Sequence, residues 1–225
     1  MTRAGVEVQH EGVAAHPLSR SAGRPVARFP HEKLGDVELV EAVKRGGDLA
    51  ALGVVWDRYS EIVRNVLRGA LGADASVEDL LQDVFMALVK GLDTLRDGGK
   101  LRSFLISVAV RLAALELRRR KIRRWVTLSP TGAVPEPPVA PRDVEGREAL
   151  RAFYRILDQL GTRRRMAFVL RHVHELEMFE VAEVLGVSES TAKREVARAR
   201  GQITRCASVD PALRHYLALA GGVKP

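Results

Sequence analysis

From Asp36 onward, apolar side chains recur at three- and four-residue intervals, the period of helices that bury one face. Leu39, Val40 and Val43 mark a short helix ending at Gly46-Gly47. Leu52, Val55, Tyr59, Ile62, Val66 and Leu67 trace one face of a longer helix that stops near Gly69 or Gly72. Ser76 is placed to cap a third helix with Asp79 at the capping-box position, above a stripe of Val77, Leu80, Leu81, Val84, Phe85, Leu88 and Leu92. After the Asp97-Gly98-Gly99 turn, a fourth helix is predicted from about Leu101 to Arg124, becoming basic at its end. A second set begins near Asp143, with Leu150, Phe153, Leu157 and Leu160 on one stripe. Thr162 then opens a helix bearing Met166, Val169, Leu170 and Val173. No alternating strand pattern appears, so the expected fold is all-α.

The interruptions divide the chain. Residues 1–35 mix Gly, Pro, Ser, Arg and His without periodicity and read as a disordered leader. Between Thr127 and Pro141 stand Pro130, Pro135, Pro137, Pro138 and Pro141, too many for a packed helix. The pattern predicts two small helical domains, 36–124 and 143–205, joined by a proline-rich linker over 125–142. A semi-extended tether of that kind spans on the order of 50 Å, more than one turn of DNA at about 34 Å. The two modules are therefore expected to be able to reach separate sites. The tail, 206–225, carries Leu213, Tyr216, Leu217 and Leu219, spaced for one short docking helix.

Met178 to Arg200 gives the second domain its chemistry. Ala182 is small, as a tight helix crossing requires, and Gly186 falls four residues later, where a turn needs positive φ. Val181, Val184, Leu185 and Val187 supply the buried side, and Ser188 can cap the next helix. That helix carries Lys193, Arg194, Arg198 and Arg200, so the unit reads as a helix-turn-helix with a basic outer face suited to the major groove. A net charge of +8 supports a nucleic-acid partner. The excess is clustered in Arg118, Arg119, Arg120, Lys121, Arg123 and Arg124, and again in Arg163, Arg164 and Arg165. Cys206 is the single cysteine, and no apolar run approaches a membrane span. The N-terminal stretch offers no signal-peptide core, and a soluble cytoplasmic protein is expected. His172, His174 and Glu175 invite a metal-site reading, but positions i and i+2 do not share a helix face and no metal-ligand motif accompanies them. No metal, cofactor or catalytic residue is expected.

Taken together, the order of parts resembles the two-domain sigma factors of bacterial RNA polymerase, in particular the extracytoplasmic-function group. Three segments carry the resemblance: Asp79-Leu80-Leu81-Gln82-Asp83-Val84-Phe85; Arg102-Ser103-Phe104-Leu105 through Leu117-Arg118-Arg119-Arg120; and Ala182-Glu183-Val184-Leu185-Gly186 with Thr191-Ala192-Lys193. It implies core RNA polymerase as a partner, bound through Asp79, Gln82 and Asp83. It implies promoter DNA as another, with Phe104, Arg111, Arg118, Arg119 and Arg120 holding the melted strand. The upstream element would be read by Ser190, Thr191, Lys193, Arg194, Arg198 and Arg200. Within that set Lys193 and Arg194 are candidates for base reading, and Arg198 and Arg200 for phosphate. Many members are held by an anti-sigma protein, which the resemblance admits here without marking its contact. Neither an enzyme nor a membrane-inserted protein is implied.

The chain also departs from that family's pattern. Trp and Tyr are common where Phe104 and Ile106 stand, and Asn where Arg111 stands, so stacking and amide contacts to an unstacked base are reduced. Ala192 replaces a larger aliphatic residue and Gly161 a common proline. Glu195 occupies a frequently basic position, where it would repel phosphate or accept from a cytosine amine. Without the resemblance, Asp79, Gln82 and Asp83 read as a solvated helix face, Phe104 equally as core, and Arg118 to Arg124 as a helix C-terminus favoured by its dipole. Two other readings compete. A polymerase-independent helix-turn-helix regulator leaves the first domain's acidic face and second basic cluster unexplained. A nucleic-acid-processing enzyme needs a nucleophile or paired carboxylates beside a basic groove, and none is convincingly placed.

Overall fold

The computed structural model describes residues 31–72, 74–126 and 144–214. Most of the expected leader, the proline-rich linker, and Tyr216, Leu217 and Leu219 of the tail lie outside them. The described residues form α1 (Asp36–Gly46), α2 (Leu49–Leu71), α3 (Ser76–Gly91), α4 (Leu101–Val126), α5 (Val144–Asp158), α6 (Thr162–Phe168), α7 (Met178–Leu185) and α8 (Glu189–Val209), with a further helical turn over 211–214. Two 3-10 turns, Leu92–Thr94 and Gly98–Lys100, join α3 to α4, and a wide π turn, Val169–Val173, extends α6.

Local chemistry sets most of the boundaries. Gly47 takes φ 61 and donates its N–H to Val43, closing α1. The Asp48 carboxylate accepts from the N–H groups of Ala50 and Ala51 and opens α2, which runs through Gly69 and ends at Gly72. The start of α3 departs from expectation. Ser76 does not cap it. Asp74 accepts from the Ser76 N–H at 2.8 Å, while the Ser76 hydroxyl accepts from Arg120 of α4 at 2.9 Å. Burial alone would push the Asp74 carboxyl up, but the Ser76 hydroxyl and N–H and the Arg120 charge hold it below the usual carboxylate range. Asp79 is consequently released from any capping role and stands exposed.

Helices α1 to α4 bury Leu39, Val55, Val63, Leu67, Val84, Leu88, Leu105 and Ala109, and the Trp56 and Phe85 rings meet edge to face at 4.9 Å. Helices α5 and α8 close a smaller cluster around Ala152, Leu157, Leu160, Ala199 and Ile203, onto which Leu213 of the tail docks.

The two helical sets are in contact. Met166, Ala167, Leu170, Leu176, Val181 and Ala182 belong to the same buried cluster as α2 and α4. Arg102 pairs with Glu180 at 3.2 Å and Lys100 with Glu183 at 2.6 Å, tying the start of α4 to α7. The Tyr154 hydroxyl donates to the Arg68 carbonyl at 2.9 Å. At the closest approach, a Cβ on Gly69 would stand 3.0 Å from Val169 Cγ1 and 3.2 Å from His174 Nε2. Burial holds the His174 imidazole below its ordinary pKa, so it sits neutral in this seam.

Gly69 lies inside a helix, where glycine costs about 1 kcal/mol relative to alanine. Gly69→Leu should therefore strengthen α2 while forcing the two helical sets apart. Fluorescent labels on α3 and α8 should separate with helix content by circular dichroism unchanged. An unaltered separation would mean that the seam does not close on Gly69.

Candidate nucleic-acid and partner interfaces

Three exposed helix faces carry the residues singled out by the sequence. On α3, Asp79, Gln82 and Asp83 all project into solvent, opposite buried Leu80, Leu81 and Val84. Neighbouring Glu78 is occupied by Arg64 and Arg68, whereas Asp79 and Asp83 make no ion pair among the described residues. Met86 and Val89, 45% and 42% exposed, continue the same side of the helix. The face is thus acidic at one end and apolar at the other. Met86 and Val89 were legible as a continuation of the 79, 82, 83, 86 spacing, although their apolar character suggests core.

The α4 residues divide. Arg111, Arg118 and Arg119 are exposed. Phe104 is half-buried, with its ring laid over the α3 terminus so closely that a Cβ on Gly91 would stand 2.6 Å from Cζ. Ile106 is 2% exposed and belongs to the core. Arg120 corrects expectation. It pairs with Asp74 at 2.9 Å and Glu116 at 3.2 Å, and donates to the Ser76 hydroxyl and the Leu71 carbonyl. A guanidinium held by four acceptors at the α2–α3 corner is a strut and is not presented to a phosphate. Glu116, which is buried, also takes Arg123 at 2.7 Å.

The helix-turn-helix forms as its spacing requires. Gly186 adopts φ 63, and Val187 donates to the Ala182 carbonyl at 3.0 Å. Ser188 accepts from the Thr191 N–H at 3.3 Å and shares hydroxyl contacts with Ser190 and Thr191. Glu175, ahead of α7, carries a positive φ of 55 that a non-glycine residue adopts at some cost. Along α8, Ser190, Arg194, Ala197, Arg198, Gly201 and Arg205 share one open azimuth at 3.6 residues per turn. Lys193 and Arg200 lie on a flank. Lys193 pairs with Glu189 at 2.6 Å, and the charge of Arg200, after burial, helps keep His172 below its ordinary pKa. Thr191 is half-buried and accepts from Arg194 at 3.3 Å.

Glu195 is the second correction. It is paired with Arg164 of α6 at 3.4 Å and faces Arg198 at 3.8 Å, so it stitches α6 to α8 and is not held out to a cytosine amine. Arg205 completes the outer face about two turns beyond Arg198 but lies outside the motif that marks the helix in the sequence. Between these arginines the small Ala197 and Gly201 leave room for close approach of the backbone. Among the described residues, no group of three His, Cys, Asp or Glu side chains could hold a metal ion, and no helix is long and apolar enough to cross a membrane.

Comparison with known proteins places these faces in a family context. Residues 55–123 match the family model of sigma-70 region 2, and residues 150–203 that of sigma-70 region 4. The chain is 33% identical over 139 residues to the ferric citrate uptake sigma factor FecI of Escherichia coli, covering 59% of this chain and 75% of that protein. It is 28% identical over 175 residues to the ECF RNA polymerase sigma factor SigM of Mycobacterium tuberculosis, covering 78% and 85%. The fold is shared with CnrH, solved in complex with the cytosolic domain of CnrY, at a TM-score of 0.59 and 22% identity over 78% of this chain and 98% of that one. It is shared also with the sigma factor RpoE of Bartonella quintana, solved with the anti-sigma factor NepR, at 0.55 and 21%, covering 69% and 95%.

Arg120→Met should cost about 2–4 kcal/mol of stability, because it removes the cation from Asp74 and the donor from the Leu71 carbonyl and leaves Glu116 with Arg123 alone. Arg118→Met and Arg119→Met should each stay within about 0.5 kcal/mol of the parent. Urea unfolding of the three variants compares them directly, and equal midpoints would show that Arg120 is a surface charge like its neighbours.

Proposed function

We propose a division of labour along this chain, which belongs to the sigma-70 family as an RNA polymerase sigma factor of the extracytoplasmic-function type. Such a protein is not an enzyme. It binds core RNA polymerase and directs promoter recognition and initiation as an alternative sigma factor. The observation that carries the division is the order of the two family matches along the chain. Region 2 falls on the helices with the acidic–apolar α3 face and the cationic α4 face, and region 4 falls on the helix-turn-helix.

In this reading Asp79, Gln82 and Asp83, extended by Met86, dock on a basic surface of core polymerase. The carboxylates give orientation and on-rate, and the thioether gives burial. Arg111, Arg118 and Arg119 hold the phosphates of the melted strand. Helix α8 enters the major groove of the upstream element, with Arg194 nearest its N-terminus toward base edges and Arg198 and Arg205 on phosphate. Lys193 and Arg200 act from the flank. In this reading, binding two elements more than a helical turn apart, about 34 Å, draws the two sets apart at the Gly69 seam. A polymerase-independent regulator would leave the region 2 helices without a task. We place the protein in the cytoplasm with its polymerase. The two solved structures named above each hold a protein partner, the cytosolic domain of CnrY for CnrH and the anti-sigma factor NepR for RpoE, which supports an anti-sigma partner here.

Asp83→Arg reverses a charge in the polymerase contact and should cost about 2–5 kcal/mol of affinity for core polymerase, with the melting temperature unchanged. Retention of full affinity in a pull-down removes α3 from the interface.

On DNA, Arg205→Ala should weaken promoter and random duplex alike and lower the salt slope by about one, whereas Arg194→Ala should relax preference at a single base pair. Binding titrations over a salt series separate the two. If Arg205→Ala leaves the slope where it was, the open face of α8 ends at Gly201.

A further inference from the structure

Helix α4 leaves two large aliphatic side chains in solvent, Leu115 at 43% and Ile122 at 63% exposure. Its other large apolar residues with described side chains turn inward. Leu101, Leu105, Ile106, Val108 and Val110 are buried, and Phe104, Leu112 and Leu117 pack against the same cluster. Single exposed aliphatics are ordinary on any surface. These two are placed otherwise. At 3.6 residues per turn, Arg111, Leu115, Arg118 and Ile122 fall within about 60° of one another. They form one line of about 16 Å that alternates cation, aliphatic, cation, aliphatic.

We propose that Leu115 and Ile122 are apolar platforms for unpaired bases of the promoter strand whose phosphates Arg111, Arg118 and Arg119 hold. The inference rests on the reading of α4 given above and adds to it the residues that meet the bases. The occupant is argued from charge and from what the helix lacks. A strand with anionic links and apolar base faces matches an alternating cationic and aliphatic line on both counts. The stacking surface expected near the start of the helix is reduced, since the Phe104 ring is half-buried against Gly91 and Ile106 is 2% exposed. Leu115 is eleven residues beyond Phe104, close to three turns, and so repeats its azimuth on the solvated part of the helix. An aliphatic platform buries a base face or a thymine methyl without the geometric preference of a π-stack, so it holds bases with little discrimination among them.

The test uses holoenzyme reconstituted from the full chain and core polymerase. One probe is a labelled fork with an upstream duplex and a single-stranded overhang; the other is the same duplex without overhang. Leu115→Ser/Ile122→Ser should bind the overhang fork about tenfold more weakly. The duplex should be affected less than about twofold, since its phosphate contacts are intact. Core polymerase affinity and the melting temperature should not change, both positions being exposed. Leu115→Phe should tighten overhang binding.

Three results would overturn the proposal. Equal loss on fork and duplex would make the line a general duplex contact. Loss of polymerase affinity would mean that polymerase covers it. Unchanged binding to DNA and polymerase alike would leave it to a different partner. Arg111→Ala/Arg118→Ala, run in parallel, separates this inference from the reading beneath it. If the arginine variant also keeps the overhang, the assignment of α4 to the melted strand fails. If it loses the overhang and the serine variant does not, only the aliphatic platforms fail.

Discussion

Burial of α4 between two helical sets is the constraint on which the rest of this molecule depends. One side of the helix, with Leu105, Ala109 and Ala113 fully buried, closes the core against α2 and α3. Its start meets α7 through Arg102 and Lys100, and its packing joins the cluster that contains Leu170 and Val181. With those sides committed, one azimuth is left for solvent, and it carries Arg111, Arg118 and Arg119. The cationic face is therefore positioned by the apolar residues behind it. Small residues make this possible where backbones come close: Ala109 and Ala113 on α4 and Gly69 on α2, where one methyl group would already press on Val169.

A net charge of +8 says little about which cations can act. Arg120, Arg164 and Arg165 are taken up by partners within the protein. Arg165 is 3% exposed and held by Asp158 at 2.5 Å, and although burial pushes its guanidinium pKa down, an arginine in such a place stays charged. A buried pair of this kind adds little net stability but is costly to break. Among the described residues, the cations left for a polyanion are fewer than the composition suggests. They are concentrated on the open faces of α4 and α8, where small residues between arginines on α8 and aliphatics between arginines on α4 give the two faces different chemistry.

Much of this was legible from local signals. The Gly47 and Gly186 turns, the Ser188 cap and the core stripes of α2 and α3 depend on residues within a turn or two of one another, and periodicity reports such neighbours well. The misreadings share one cause. Ser76 looks like a cap until Asp74 and Arg120 claim its two polar groups. Arg120 looks like its neighbours until Asp74 and the Leu71 carbonyl are brought beside it. Glu195 looks free until α6 supplies Arg164. In each case at least one deciding partner lies on another element, and no pattern along the chain marks it. For Ser76 that partner is Arg120, its other partner Asp74 being only two residues away. Phe104 and the seam at Gly69 belong to the same class, because a hydrophobic period shows that a side chain is buried without showing against what. The sequence pointed to the α3 face by its acids, but Met86 reads as core until the helix is seen from outside.

The seam also bears on how such a molecule can change its arrangement. Its salt bridges, Arg102–Glu180 and Lys100–Glu183, have partners between about a quarter and three-fifths exposed, the range in which ion pairs contribute little. The contact must then draw its strength from the apolar side chains of α6 and α7 resting on α2 and α4. It gains further from the covalent connection, which keeps the two sets at millimolar effective concentration. A partner that binds both sets in another geometry must exceed the free energy of that apolar contact to hold them apart. In the reading proposed above, the polymerase face of α3 and the DNA face of α8 both lie outside the seam, so binding would begin before the seam opens.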